Sequence, residues 1–273
     1  MTNIFSGKQA AAGSNIEEDF VGGGGGILDT NVYEATIKTA YIQKAKASEA
    51  TSIILLMDIN GKELRSQTWV TNRNGDVTYK DKKTGEAKNL PGFSQMNSLA
   101  LLVAGKDLGD MISEEKTVKL YDFESRSEIP QAVMCFTELH GETIAAAVQR
   151  QTVDKTAKNE STGSYDATGE TRDVNEVVKF FAPGKMATIS EVEMFIKSLG
   201  ANFGDTVNDG HLLKAIAKME DDSGAYAATW TEKNAGKTYV KAKGVAAGGG
   251  KAFAGASAAP GAAAKVAASS LFD

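Results

Sequence analysis

The sequence predicts a mainly β fold with added helices: a barrel of five or six strands, followed by a C-terminal α/β appendage. Three observations predict it. Short segments alternate apolar and polar residues with the two-residue period of a strand, turn sequences separate them, and one amphipathic helical segment follows the third strand. Glycine-rich and alanine-rich segments flank this region. We therefore expect a flexible leader over 1–28, the barrel core over 29–153, the appendage packed on it over 154–243, and a disordered tail over 244–273.

The first three predicted strands follow one another directly. Residues 31–42 alternate as a half-buried strand does, whereas residues 51–59 are apolar on both faces, which is typical of a central strand. Asn60 and Gly61 predict a hairpin turn after it, because both residue types accept a positive φ. The third strand then covers 63–71.

The segment after the third strand, residues 73–88, combines two turn sequences, "NRNG" and "KKTG", with the alternating run "DVTYK" between them. This pattern predicts a β-finger that carries Tyr79 and several lysines. Residues 62–88 hold seven Lys or Arg and four Asp or Glu, a net charge of +3, although the whole chain has a net charge of −5. The sign of the charge therefore reverses locally.

A helix and three more strands complete the predicted core. The helix has Phe93, Met96, Leu99, Ala100 and Val103 at helical spacing, and Gly105 ends it. The strands cover 115–123, 128–139 and 142–153, and we expect His140 and Gly141 to form a tight turn between the last two. The order of three strands, one helix and further strands is the chain order of the OB-fold.

The predicted appendage contains a polar loop over 159–173, a strand over 174–182 and three helices. The helices lie near 190–199, 209–220 and 224–235. Ser190 and Glu193 predict a capping box at the start of the first of them.

Composition limits the classes of function. A net charge of −5 argues against general coating of duplex nucleic acid but leaves room for a local basic patch. Cys135 is the single cysteine, which excludes an intrachain disulfide. Without an apolar signal-peptide core or 18 uninterrupted apolar residues, the chain is expected to be soluble, without membrane contact, and cytoplasmic.

The third strand offers the residue types that unpaired bases and phosphates require. Its period places Arg65, Gln67, Trp69 and Thr71 on one face, and single-stranded nucleic acid needs flat rings for stacking and cations for phosphates. Lys119 and Tyr121 repeat this mixture in the fourth strand. The alternative interpretation is that Trp69 belongs to the core and that the charges belong to a solvated hairpin. The candidate nucleic-acid-binding residues are Arg65, Trp69, Arg73, Tyr79, Lys80, Lys82, Lys83, Lys88, Lys119, Tyr121 and Arg150.

Little in the sequence indicates catalysis. The only histidines, His140 and His211, are not spaced with acids as metal ligands, and there is no phosphate-binding loop or nucleophile motif. We therefore predict no catalytic residues, no metal and no cofactor. One enzymatic alternative stays open, a metal-dependent nuclease that uses Asp58 and Glu63 at the ends of the first hairpin.

Several segments, among them "GKELRSQTWVTNRNGDVTYKDKKTGEAKNLPGF", "KTVKLYDF" and "TWTEKNAGKTYVKAKG", resemble the single-stranded DNA-binding proteins of tailed bacteriophages. The resemblance covers residues 30–244 and includes no short diagnostic motif. It implies an OB-fold protein of phage DNA replication, recombination and repair that coats single strands without sequence choice, in the cytoplasm of the host. By position, residues 68–75 and 79–82 correspond to segments of that family.

The resemblance also concerns the C-terminus. Such proteins often end in an acidic tail with a terminal aromatic residue, which recruits replication or transcription proteins, and this chain ends with Leu271, Phe272 and Asp273. It lacks the upstream acids and has Lys251 and Lys265 there instead. Self-association on DNA is a further expectation. A second function also remains open, that of a phage structural or protein-interaction module whose basic loop binds an acidic partner.

Overall fold

The structure is a computed structural model and describes residues 26–243, except 123, 124, 126, 159, 160, 162–164, 208 and 209. The expected leader up to residue 25 and the expected tail lie outside the described residues. The strands are β1 (Asn31–Lys44), β2 (Thr51–Ile59), β3 (Lys62–Trp69), β4 (Thr78–Lys80), β5 (Ala87–Asn89), β6 (Glu114–Asp122), β7 (Ser127–Cys135), β8 (Thr143–Lys158), β9 (Tyr165–Phe181) and β10 (Thr238–Val240). The helices are α1 (Pro91–Ala104), α2 (Ile189–Ser198), α3 (His211–Ala217) and α4 (Ala225–Asn234).

A large antiparallel sheet dominates the fold, as the mainly β prediction requires. Its central path runs β10-β8-β1-β2-β3, with β7 also paired to β1, β6 to β7 and β9 to β8. A separate two-stranded sheet of β4 and β5 follows β3. The order of three strands, finger, helix and further strands agrees with the prediction. The described strands form no closed sheet, so the OB-fold barrel is not confirmed.

Strands β7 and β8 share one edge of β1, and this arrangement corrects the sequence prediction. Tyr41 pairs with Cys135 of β7, and residues 31–36 pair with 143–148 of β8, while β2 occupies the other edge. The predicted strand over 128–139 ends at Cys135, and a 3₁₀ turn covers Thr137–Leu139. The predicted tight turn at His140 and Gly141 is present. Among the described strands it is not a hairpin turn, because β7 and β8 each pair with β1 and not with each other.

Strand β9 begins earlier than the sequence predicts. The expected polar loop over 159–173 is wrong from Tyr165 onward, because β9 starts there and pairs with β8. An ion pair of 2.9 Å between Lys155 and Glu170 joins the two strands. The side chains here are mostly exposed, so the apolar alternation that reveals a half-buried strand is absent.

The main core lies between one face of the sheet and the helices. Strand β2 contributes alternate side chains, which are buried because β2 is central. Helix α1 packs with Met96, Leu99 and Ala100, as predicted. The core side chains of β2 are Ile53, Leu55, Met57 and Ile59. A second cluster on the opposite face of β2 consists of Tyr41, Ile54, Leu120 and Cys135, so the β6–β7 hairpin covers part of that face.

One predicted helix cap is confirmed and one is wrong. Gly105 ends α1 in the left-handed conformation with a φ of 67°. The capping box of helix α2 lies two residues earlier than expected: Thr188 is the N-cap and Glu191 completes the capping box, in place of Ser190 and Glu193. The second carboxylate oxygen of Glu191 also accepts a hydrogen bond of 2.9 Å from the Tyr226 backbone, which fastens α4 to this end of α2.

The chain divides into two compact units. Within the described residues, the first contains everything up to Thr152 together with Asp173–Tyr239, and the second contains Val153–Arg172 and the residues from Val240 on. All predicted interface residues except those in the tail belong to the first unit. No helix among the described residues is long and apolar enough to cross a membrane.

Candidate nucleic-acid interface

The exposed face of β3 places a guanidinium, an amide and an indole in one row, which we call the β3 strip: Arg65, Gln67 and Trp69. All three are exposed, whereas Leu64 on the other face is buried in the core. Trp69 is 48% exposed, so the interpretation of Trp69 as a core residue is wrong. The predicted fourth member, Thr71, lies beyond the end of β3, where its Oγ1 accepts a hydrogen bond of 2.7 Å from the Thr51 backbone.

The β3 strip borders β2, and one of its side chains is hydrogen-bonded to that strand. Leu56 is opposite Arg65, Ile54 opposite Gln67, and Ser52 opposite Trp69. Gln67 Nε2 donates a hydrogen bond of 3.0 Å to the buried Ser52 Oγ. The bond holds the Gln67 amide against β2, while Arg65 and Trp69 on either side of it are exposed to solvent.

The finger is the two-stranded sheet of β4 and β5 with its connecting turn, as the sequence predicts. Tyr79 lies opposite Lys88 and is 42% exposed. Asp81 organises the turn: its Oδ1 accepts from the Lys83 backbone at 2.8 Å, and its carbonyl accepts from the Gly85 backbone at 2.8 Å. Gly85 has a φ of 74°, a conformation that favours glycine.

The finger and the chain before it present several cations without an ion-pair partner among the described residues. Lys88 forms an ion pair of 2.5 Å with Asp81, which raises the pKa of Lys88 and lowers the pKa of Asp81, in each case chiefly through their shared hydrogen bond. Within the part of the chain that the structure describes, Arg73, Lys80, Lys82, Lys83 and Arg65 make no ion pair with another side chain. These five side chains therefore provide positive charge that an anionic ligand can use.

Both ends of the finger are fastened at the Trp69 end of β3. At the entry, Asn72 Oδ1 accepts from the backbones of Asn74 and Asp76 at 2.9 and 3.0 Å. At the exit, the chain enters α1, where Gly92 lies directly against the Trp69 carbonyl: a Cβ at Gly92 would be 2.1 Å from that oxygen. The finger and the β3 strip are therefore joined at Trp69.

The structure does not bring Lys119 and Tyr121 to the β3 strip. Leu120 points into the second apolar cluster beside Ile54, and because side chains alternate along a strand, Lys119 and Tyr121 lie on the opposite face of β6. Both are exposed there, Tyr121 by 54%. They belong to a different surface of the hairpin.

Arg150 also stands apart from the finger. Its Nε and Nη2 donate to Asp173 Oδ2 at 2.9 and 2.7 Å, and its Nη1 is 3.3 Å from Asp29 Oδ1. These partners raise the pKa of Arg150, chiefly through the hydrogen bonds to Asp173. The guanidinium thus joins β8, β9 and the chain before β1, and its charge is already compensated.

The two carboxylates of the nuclease alternative lie opposite each other on β2 and β3, with a lysine between them. Lys38 Nζ is 3.0 Å from Asp58 and 3.8 Å from Glu63. The pKa of Asp58 is lowered, first by the hydrogen bond from Lys38 and then by the one from the Gly61 backbone. The described residues contain no group of three or more His, Cys, Asp or Glu that could hold a metal ion.

Three residues that shape this surface were not among the predicted site residues. Asp81 and Asn72 organise the turns of the finger, and Asp and Asn at the first position of a turn are a recognisable signal. Gly92 has no such signal, because its close approach to Trp69 arises only when α1 packs against β3. The tail residues Leu271, Phe272 and Asp273 lie outside the described residues.

Comparison with known proteins gives no assignment. No protein-family model matches the chain, and no curated protein sequence matches it significantly. The residues of the surface itself are therefore the basis for a function.

Proposed function

We propose that the chain binds single-stranded DNA without sequence preference, through the β3 strip and the finger. The observation that carries the proposal is the exposed Trp69 indole, in line with Arg65 on an exposed strand face and joined to a lysine-rich finger. Unpaired bases stack on exposed aromatic rings, and each base contributes about 1–3 kcal/mol, while Lys and Arg contact the phosphates.

The wider parts of the proposal rest on the sequence. The predicted order of three strands, one helix and further strands is that of an OB-fold, whose second and third strands commonly bind oligonucleotides. The resemblance to phage single-stranded DNA-binding proteins supports a place in replication, recombination and repair. Lys119, Tyr121 and Arg150 are not needed for the core of this interface.

Fluorescence of Trp69 tests the proposal directly. The chain has two tryptophans, and Trp230 is partly buried against a small apolar cluster, so a Trp230→Phe variant isolates the Trp69 signal. We expect oligo-dT to quench this fluorescence strongly at low salt and less at high salt.

Two controls test whether the quenching is specific for single-stranded DNA. A duplex of the same length should quench less, because its bases are already stacked on each other, and poly-glutamate of matched charge should not reproduce the quenching. Equal quenching by the duplex would contradict single-strand binding, and equal quenching by poly-glutamate would favour an interaction module for acidic proteins.

A further inference from the structure

A second surface, formed by the end of α2 and one face of α3, carries an apolar groove, which we call the α2–α3 groove. Its volume is about 340 Å³, and both helices and the chain between them contribute to it. The lining residues are Ile196, Leu199, Ala201, Thr206, His211, Lys214, Ala215 and Lys218. None of them belongs to the β3 strip or the finger, so the groove has no role in the proposed function.

The turn after α2 builds one wall of the groove. Gly200 has a φ of 78°, and its N–H donates a hydrogen bond of 3.0 Å to the Lys197 carbonyl. The Ala201 N–H donates one of 3.2 Å to the Ile196 carbonyl. These two bonds form a Schellman motif, which brings Ala201 beside Ile196. Because Ile196 is also buried in the main core, this apolar wall has a fixed position.

Leu199 lies in the groove with an apolar side chain that the described part of the protein leaves largely uncovered. It is 56% exposed, although Val192 and Ile196 on the same helix are buried. Exposed apolar surface with a polar rim is typical of sites that bind another protein. Ligand pockets hold roughly 300–1,000 Å³, so a groove of about 340 Å³ suits a short segment with one or two bulky side chains.

One stripe of α3 gives the rim of the groove a positive charge. His211, Lys214, Ala215 and Lys218 follow one another at helical spacing, and all four line the groove. Lys214 and Lys218 are exposed and make no ion pair within the described ranges. Among the described residues no acid lines the groove, although the whole chain has a net charge of −5. The two lysines are four residues apart, about 6 Å along the helix, so they match two carboxylates at a similar separation.

From this combination we propose that the α2–α3 groove binds an acidic peptide segment of another protein. A bulky apolar side chain of the segment covers Leu199, and its carboxylates contact Lys214 and Lys218. An apolar surface alone accepts neutral segments, and cations alone accept any polyanion, so the two together select a segment that carries both features. This inference concerns a protein partner and is independent of DNA binding.

The position of the site is tested with a synthetic peptide in which leucine and phenylalanine lie between flanking glutamates. We expect the peptide to shift the backbone amide resonances of residues 196–201 and 211–218 in NMR spectra of the full chain. The finger is the internal comparison, because its lysines also attract acids. Shifts no larger in the groove than in residues 80–88, or an absence of shifts, would overturn the proposal.

Two altered peptides separate the apolar contribution from the charge. Serine in place of leucine and phenylalanine, or lysine in place of the glutamates, should each raise the Kd about tenfold, as measured by fluorescence anisotropy of the labelled peptides. Equal binding of the serine peptide would mean that any polyanion binds, and equal binding of the lysine peptide would mean that the cations of α3 are not used. Either result would overturn the proposal.

Variants of the full chain test the residues of the groove. Leu199→Ser removes the exposed apolar side chain, and Lys214→Gln together with Lys218→Gln removes the two cations. Each variant should raise the Kd for the glutamate peptide about fivefold. The lysine variant changes only exposed side chains, so it decides the question if Leu199→Ser lowers the urea midpoint.

Matched controls change similar residues outside the groove. Met194→Ser alters an apolar side chain of α2 that is 62% exposed and does not line the groove. Lys82→Gln together with Lys83→Gln removes two exposed lysines of the finger. Both controls should leave the Kd for the peptide unchanged. A rise in the controls equal to that in the groove variants would overturn the proposal.

Discussion

Gly92 of α1 lies against the carbonyl oxygen of Trp69, so close that a Cβ at Gly92 would be only 2.1 Å from that oxygen. No side chain fits between the helix and the end of β3. The contact fixes the strand end from which Trp69 projects, and the position where the finger returns to the core.

A Gly92→Ala variant is therefore expected to be destabilised. The added methyl group must push α1 away from β3, at a cost on the order of 1–3 kcal/mol. Urea denaturation measures this loss. Gly109→Ala supplies the control, because a Cβ there meets nothing within 4 Å. Equal stability of the two variants would contradict the close approach.

The turn of the finger should depend on pH through Asp81 and Lys88. Because the pKa of Asp81 is lowered, its carboxylate contributes fully to the stability of the finger turn above about pH 3.9. This contribution is lost as the pH falls through the lowered pKa. Because the pKa of Lys88 is raised, its ammonium group contributes fully to the stability of the finger turn below about pH 10.4. This contribution is lost as the pH rises through the raised pKa. The Lys83 and Gly85 amide chemical shifts should stay constant between these limits. In Asp81→Asn the acid transition should vanish.

Replacing Tyr79 separates a binding role from a structural one. If the exposed ring stacks on a base, Tyr79→Ala weakens oligo-dT binding on the order of tenfold and leaves the free energy of unfolding unchanged. Tyr165→Ala, at an exposed tyrosine on β9, is the matched control. Lower stability with unchanged binding would mean that Tyr79 only maintains the finger.

The lysines of the finger should set the salt dependence of binding. Lys80→Gln, Lys82→Gln and Lys83→Gln together remove three phosphate contacts, so the slope of log Kobs against log salt should fall in magnitude by about 2. The control removes three lysines in or next to the helices α3 and α4, with Lys214→Gln, Lys218→Gln and Lys233→Gln. A slope that changes equally in both variants would assign the effect to net charge.

Arg150 is expected to stabilise the fold and not to bind DNA. Arg150→Gln leaves Asp173 and Asp29 without their shared cation, so the urea midpoint should fall while the Kd for oligo-dT stays unchanged. Arg65→Gln should show the reverse pattern, since Arg65 has no ion pair among the described residues. A large loss of DNA binding in Arg150→Gln would show that Arg150 belongs to the DNA-binding surface.

The sequence predicted the parts of the fold whose causes are local. The hairpin at Asn60, the finger at residues 73–88 and the end of α1 at Gly105 all follow from turn or cap residues that act on their immediate neighbours. Strand alternation alone predicted that Arg65 and Trp69 share one face of β3. It did not predict the exposure of that face, because alternation shows which residues share a face but not which face is covered.

The features that were missed depend on distant partners. The apolar pattern of 128–153 gives no sign that β7 and β8 both pair with β1, since pairing partners are not encoded within a strand. The sequence gives no sign that Arg150 is paired, because its partner Asp173 is 23 residues away in the chain, on β9. Two overlapping capping patterns begin at Thr188 and Ser190, and both patterns fit the sequence.

The shared edge of β1 has a consequence for the rate of folding. Ala40 donates a backbone hydrogen bond of 3.1 Å to His140 Nε2, a residue 100 positions later in the chain, and the neighbouring pairs with β8 are equally remote. The chain between such partners must first close into a long loop, which costs conformational entropy before the contacts can stabilise the fold. This requirement slows folding. Strands β2 and β3, joined by a two-residue turn, can pair early. The β1 edge that pairs with β8 stays unpaired until residues 143–148, just past the middle of the 273-residue chain, have been synthesised.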